Sequence, residues 1–175
     1  MNNIDDKIKV MIGQEELEKR IAELGEQISR DYADKELVMI CILKGGVMFM
    51  TELAKHVTSH MSMDFMSVSS YGNERKSSGH IRILKDLDEP IEGKDVLIVE
   101  DIIDSGRTLA HLMEVLSTRK PASLKLCTML DKPDRREVDV KVDYVGFQIP
   151  DKFVLGYGLD YDQFYRNIPY IAVVE

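Results

Sequence analysis

Residues 96–109 read VLIVEDIIDSGRTL. An apolar run ends in Glu100 and Asp101, and Asp104 follows three residues later, just ahead of Ser105, Gly106, Arg107 and Thr108. Two kinds of chemistry are crowded into this stretch. In DSGRT the glycine admits unusual backbone dihedrals. Successive backbone N–H groups can then point inward at the start of a helix, where an anion such as phosphate is favoured. The carboxylates call for the opposite partner. Two like charges roughly 4 Å apart cost about 4 kcal/mol at an effective dielectric of about 20. A cation or hydroxyl donors must meet them. Magnesium that shares substrate oxygens fits, since it favours a few carboxylates together with phosphates and waters. A sugar phosphate supplies both halves: hydroxyls for the carboxylates and an ester for the amides. On these few residues alone, Asp104 or Ser105 also reads as an ordinary helix cap.

The elements that must position this stretch follow from the patterning around it. In residues 14–32, Leu17, Ile21, Leu24 and Ile28 make one apolar stripe on a charged helix. LVMICIL at 37–43 and DVLIV at 95–99 are continuous apolar runs, as expected of strands covered on both faces in a parallel sheet. Residues 47–57 and about 108–119 are expected to be helical, the second ended by Pro121. MDFMSVSS (63–70), IRIL (81–84), SLKLCTML (123–130) and YIAVV (170–174) are expected strands. SYGNERKSSGH (70–80) is expected to be a long exposed loop. This alternation predicts an α/β fold, a mostly parallel central sheet flanked by helices. Ligands of such sheets bind at the carboxyl ends of the strands. The acidic turn, the KGG at 44–46 and the DKPDRR at 131–136 all fall at that rim.

With 175 residues and neither repeats nor a Pro/Gly/Ser-rich linker, one domain over 1–175 is the expected organisation. The net charge of −8 opposes a nucleic-acid surface. No apolar run approaches the roughly 18 residues of a membrane span. Cys41 and Cys127 sit in apolar runs and read as buried strand residues. The opening MNNIDDKIKVMIG lacks the basic head and apolar stretch of a signal peptide, so the cytoplasm is the expected location. His56, His60, His80 and His111 show no metal-ligand spacing. No G-x-x-x-x-G-K-[ST] string is present, which argues against a nucleoside triphosphatase.

Taken whole, VLIVEDIIDSGRTL resembles the signature of the type I phosphoribosyltransferases, which bind 5-phosphoribosyl 1-pyrophosphate. LKGG (43–46), SSYG (69–72), DKP (131–133), VGFQIPDKFVLGYGLDY (145–161) and YRNIPYI (165–171) are similar to the hypoxanthine-guanine, or 6-oxopurine, branch, in the family's order over nearly the whole chain. The resemblance implies the type I fold with a small hood built from chain-terminal segments. It implies Mg2+ as cofactor, 5-phosphoribosyl 1-pyrophosphate and 6-oxopurines as small-molecule partners, and a homodimer or homotetramer. No nucleic-acid or membrane partner is expected.

It also implies roles. Glu100 and Asp101 would meet the ribose hydroxyls and magnesium, with Asp160 at a second magnesium. Asp104 would be the catalytic base that accepts the purine N7 proton. Asp104, Ser105, Gly106, Arg107 and Thr108 would wrap the 5′-phosphate. Lys44, preceded by a cis peptide, Gly45 and Arg166 would contact pyrophosphate. Lys132 would bond the 6-oxo group, Phe153 would stack on the base, and Val154 would read its edge through the backbone. Ser70 and Tyr71 would belong to a lid that excludes water. Two alternatives stand beside this reading. One is a xanthine-preferring relative. The other is an RNA-binding nucleotide sensor of the same fold, which the absence of a basic, aromatic-interleaved patch opposes.

Overall fold

Residue parity along the buried strands builds a two-faced sheet. The computed structural model describes residues 4–70 and 80–175. In chain order its strands are β1 (Ile8–Ile12), β2 (Leu37–Leu43), β3 (Met61–Ser70), β4 (Ile81–Lys85), β5 (Asp95–Ile103), β6 (Ser123–Asp131), β7 (Tyr144–Gln148), β8 (Val154–Leu155) and β9 (Ile171–Val174). The helices are α1 (Gln14–Asp31), α2 (Val47–Lys55) and α3 (Arg107–Ser117). Met39 and Cys41 of β2, with Leu97 and Val99 of β5, join one core with α1 and α2. Val38, Ile40 and Ile42, with Val96 and Ile98, point the other way into a core with α3. Successive side chains of a strand face opposite sides, so a continuous apolar run is what a strand covered by helices on both faces requires.

The main sheet has the order β4-β3-β2-β5-β6-β7. Every neighbouring pair is parallel except β3 with β4. The carboxyl ends of β2, β5 and β6 therefore share one rim, and Lys44, Asp104 and Lys132 follow them directly. The fold is thus the expected mostly parallel α/β sheet flanked by helices. A second, three-stranded sheet of order β1-β9-β8 joins the two ends of the chain as the expected hood, around buried Ile4, Leu155 and Ala172.

The helices follow their apolar stripes. In α1 the buried positions are Leu17, Ile21, Leu24 and Ile28, together with Gly25. A Cβ at Gly25 would lie 2.4 Å from the His56 Cβ, so glycine is what lets the end of α2 pack closely against α1. No helix among the described residues is long and apolar enough to cross a membrane.

Several elements differ from expectation. β5 does not end at Val99; it carries Glu100 and Asp101 inside the strand to Ile103, because pairing with β6 continues through Glu100↔Thr128 and Ile103↔Asp131. α2 ends at Lys55 rather than 57, and α3 spans Arg107–Ser117 rather than 108–119. Residues 156–166 form turns held by the bridges Gly156↔Leu159 and Tyr161↔Phe164.

Candidate active site

The turn after β5 is braced from behind. Gly106, at φ 81°, precedes α3, and no side chain caps that helix. Ser105 Oγ accepts from the Arg107 N–H at 3.3 Å, while the Ser105 carbonyl accepts from the N–H groups of Glu137 (2.9 Å) and Val138 (3.1 Å). A Cβ at Gly106 would lie 3.0 Å from both Arg136 Cδ and the Val138 carbonyl. The segment after β6 thus holds the turn in shape. A helix start leaves its first amides without intrahelical partners, which suits an anion. A cavity of about 160 Å³ opens here, lined by Glu100, Asp104, Ser105, Gly106 and Thr108 with Ile102, Ile103 and Leu109. A larger groove of about 390 Å³, between α3 and residues 139–143, holds none of the expected site residues.

Not every side chain of the turn faces that cavity. The Arg107 guanidinium is committed to Glu137, with Nε 2.5 Å from its carboxylate. What Arg107 offers a ligand at the turn is its main chain. Ser70 Oγ lies 3.2 Å from Thr108 Oγ1, which brings the end of β3 to the turn that opens α3. Tyr71, the other expected lid residue, and most of the 70–80 loop lie outside the described residues.

Glu100 and Asp101 form a strained electrostatic pair. Burial pushes the Glu100 carboxyl well above its ordinary range, and the neighbouring Asp101 pushes it further. Burial also raises the Asp101 carboxyl. Their main compensation is local: Glu100 Oε1 accepts from the Asp101 N–H at 3.1 Å, and Asp101 Oδ1 from the Ile102 N–H at 2.8 Å. Among the described residues no three His, Cys, Asp or Glu side chains make a closed metal cage. Two desolvated adjacent carboxylates still fit a hard cation that draws the rest of its ligands from substrate oxygens and water.

The loop after β2 packs against this pair. The Leu43–Lys44 peptide is cis, as the resemblance implies. A Cβ at Gly45 would fall 1.9 Å from Asp101 Oδ2, so any side chain there would displace the Asp101 carboxylate. Gly158, at φ 99°, abuts the same loop from the hood side; its Cβ would lie 2.0 Å from the Gly45 carbonyl. Arg166 donates to the Gly158 carbonyl at 2.6 Å and pairs with Asp160 at 3.0 Å. Gln163 Oε1 accepts from both Lys44 Nζ and Arg166 Nη2, each at 3.3 Å. Lys44, Gly45, Asp160 and Arg166 are therefore brought together, although more than 110 residues separate the two halves.

Across the rim, Lys132 Nζ lies 3.6 Å from Asp104 Oδ1. The lysine side chain is 9% exposed and the aspartate 47%. Arg136 ties their supports together: its Nε donates to the Asp104 carbonyl at 3.2 Å, and its Nη2 bonds the Asp131 carboxylate. Val154 is buried, leaving its backbone as the part able to address a ligand. Phe153 is 53% exposed, an unusual state for so large an apolar ring, and contacts Tyr161 edge-on at 5.8 Å. Both cysteines are buried in strands; burial pushes the Cys41 thiol up to about 12 and Cys127 still further, so neither is a thiolate.

Arg136, Glu137 and Gln163 were not singled out from the sequence. Arg136 stands in the noticed DKPDRR loop, but a basic residue in a polar turn carries no sign of where it points. Gln163 is neutral and follows no motif that composition reveals.

A doubly covered parallel sheet, a glycine turn opening a helix at a strand end, buried carboxylates beside it and a hood opposite suit an enzyme that transfers a sugar phosphate. Residues 12–162 match the family model described as the phosphoribosyl transferase domain. The chain is 52% identical over 167 residues to the hypoxanthine-guanine phosphoribosyltransferase of Bacillus subtilis, covering 95% of this chain and 93% of that one. It is 54% identical over 169 residues to the hypoxanthine phosphoribosyltransferase of Escherichia coli, covering 95% of each. A crystal structure of a hypoxanthine phosphoribosyltransferase from Staphylococcus aureus superimposes with a TM-score of 0.95 at 47% identity, covering 100% of this chain and 96% of that one. The chain belongs to the phosphoribosyltransferase family, in its hypoxanthine-guanine branch, and is an enzyme of the transferase class.

Proposed function

We propose that this enzyme serves purine salvage by moving the 5-phosphoribosyl group from 5-phosphoribosyl 1-pyrophosphate to N9 of hypoxanthine or guanine. The products are IMP or GMP and pyrophosphate. The observation that carries this reading is the approach of Lys132 and Asp104 from two strand ends, 3.6 Å apart beside the phosphate turn. An ammonium suits a 6-oxo acceptor and a carboxylate suits the N7 proton; one planar 6-oxopurine offers both on one edge. The names of the Bacillus subtilis and Escherichia coli relatives support the same base class.

In this reading the turn at Asp104–Thr108 binds the 5′-phosphate and sets the ribose over Glu100 and Asp101. Lys44, Gly45 and Arg166 orient the pyrophosphate. Lys132 holds the base, the Phe153 ring stacks on it, and the Val154 backbone meets its edge. N9 attacks the anomeric carbon as the bond to pyrophosphate breaks. Asp104 takes the N7 proton, a general-base contribution on the order of 10²–10⁴ in rate. Cationic groups aimed at the departing pyrophosphate lower the barrier, since preorganised charge acts most where charge develops. Magnesium would be held by Glu100 and Asp101, with a second ion at Asp160, and when bound neutralises the pyrophosphate and polarises its oxygens. Ser70 and Tyr71 act as a lid that keeps water from the activated ribose. The whole of residues 1–175 acts as one catalytic domain, in the cytoplasm, as a homodimer or homotetramer.

A spectrophotometric assay of purified protein with hypoxanthine, guanine, xanthine and adenine, with and without magnesium, tests the proposal. Nucleotide formation from hypoxanthine or guanine that needs the metal is the expected result. Turnover of adenine alone, or none with any base, would overturn it. A preference for xanthine would move the base specificity within the same mechanism.

A further inference from the structure

The hood turn that faces Lys44 is built around an uncharged residue. Asp162, Gln163 and Tyr165 all have positive φ, at 51°, 71° and 71°. Non-glycine residues hold such conformations only where their surroundings enforce them, and they gather at ligand clamps. Here Asp160 enforces the turn, accepting the Gln163 N–H at 2.9 Å through one oxygen and pairing with Arg166 through the other. The result is to aim the Gln163 side chain between two cations. Its one amide oxygen receives both Lys44 Nζ and Arg166 Nη2. The amide NH2 end could not serve, being a donor like its neighbours.

We propose that Gln163 is a positioning residue of the pyrophosphate site, a neutral stand-in for the anion. This inference rests on the proposal that Lys44 and Arg166 bind pyrophosphate. Two cations that must meet a polyanion repel each other while it is absent. A carboxylate between them would hold them firmly, and would then stay behind to repel the incoming anion. The amide oxygen gives each cation a hydrogen bond without a net charge. It keeps both near their working places and yields them cheaply when phosphate oxygens arrive. Asp160 supplies the firm support from the side, through Arg166.

The test compares Gln163→Glu with Arg166→Met and the unaltered enzyme, by calorimetric titration with pyrophosphate in excess magnesium, alongside steady-state kinetics and thermal melts. Gln163→Glu should bind pyrophosphate about tenfold more weakly, the effect of one added negative charge several ångströms away in a half-exposed site. The KM for 5-phosphoribosyl 1-pyrophosphate should rise with it, while the KM for hypoxanthine stays within about twofold. The melting temperature should not fall, because the new carboxylate pairs with Lys44 and Arg166; that separates a lost ligand site from a lost fold. Lost affinity in Arg166→Met with unchanged affinity in Gln163→Glu would overturn the part given to Gln163 alone. Unchanged affinity in Arg166→Met would overturn the pyrophosphate site itself.

Discussion

Lys132 and Asp104 stand 3.6 Å apart, one almost wholly buried and the other half exposed. The inequality matters. A buried ammonium without a partner is costly. Asp104, nearer solvent, is the partner that can exchange one contact for another. In the ligand-free enzyme the two compensate each other. In the proposed reading a 6-oxopurine gives its oxygen to the lysine and its N7 proton to the aspartate, so that one ion pair would be replaced by two hydrogen bonds to charged groups.

Asp104→Asn keeps the shape of the site and removes the proposed base. Turnover should fall by about 10²–10⁴. Affinity for 5-phosphoribosyl 1-pyrophosphate should change far less, because the turn amides are untouched. Steady-state kinetics with a direct binding measurement check this; unchanged turnover would remove Asp104 from the proton transfer.

Lys132→Ala should weaken hypoxanthine more than adenine. A hydrogen bond to a charged group contributes about 1.5–3 kcal/mol, so the KM for hypoxanthine should rise tenfold or more. Competition assays with the two purines read the selectivity. Discrimination as in the unaltered enzyme would show that the 6-oxo group is recognised elsewhere.

Glu100 and Asp101 make ligand-free stability depend on pH. Both carboxyls are raised in the folded state, first by burial and, for Glu100, then by its neighbour. A raised carboxyl favours folding while it is protonated. Its contribution is full below the ordinary carboxylate range, about 4, and is lost as pH climbs through the raised folded-state value. Glu100→Gln should therefore raise the melting temperature of the ligand-free protein at neutral pH and flatten its decline above pH 4. Melts across pH 4–9 decide it; a steeper decline in the variant would reverse the sign.

Gly158→Ala should damage fold and site together. Its φ of 99° already disfavours a side chain, and the new methyl would press on the Gly45 carbonyl at 2.0 Å. Backbone strain alone costs on the order of 1–3 kcal/mol, or roughly 2–10 °C in melting temperature for a chain of this size. Pyrophosphate affinity should fall as well, since the Lys44 loop must move. Gly93→Ala is the control: φ there is 71°, yet nothing lies within 4 Å of the added carbon, so only the melt should shift.

How much of this was legible beforehand varies from residue to residue, for physical reasons. The stripe of α1 and the covered strands β2 and β5 were readable because helix period and two-sided burial are written in neighbouring residues. The position of the acidic turn at the start of α3 was readable because small residues and a glycine at fixed local spacing mark a strand-to-helix turn. β1 and β7 escaped: each is five residues long, and β1 gains its register from β9, some 160 positions away. The length of β5 was hidden by Glu100 and Asp101, which look like a strand end until β6 is seen to go on pairing with Glu100, Ile102 and Ile103.

By itself, then, the sequence determined the layers, the rim and the kinds of residue that meet there, since these depend on local period, burial and turn chemistry. Only the tertiary structure decided which charges face one another. It sets Lys132 against Asp104, Gly45 against Asp101, and Gln163 between Lys44 and Arg166. Such pairings depend on how strand ends and hood turns meet through space, and spacing along the chain does not encode that distance.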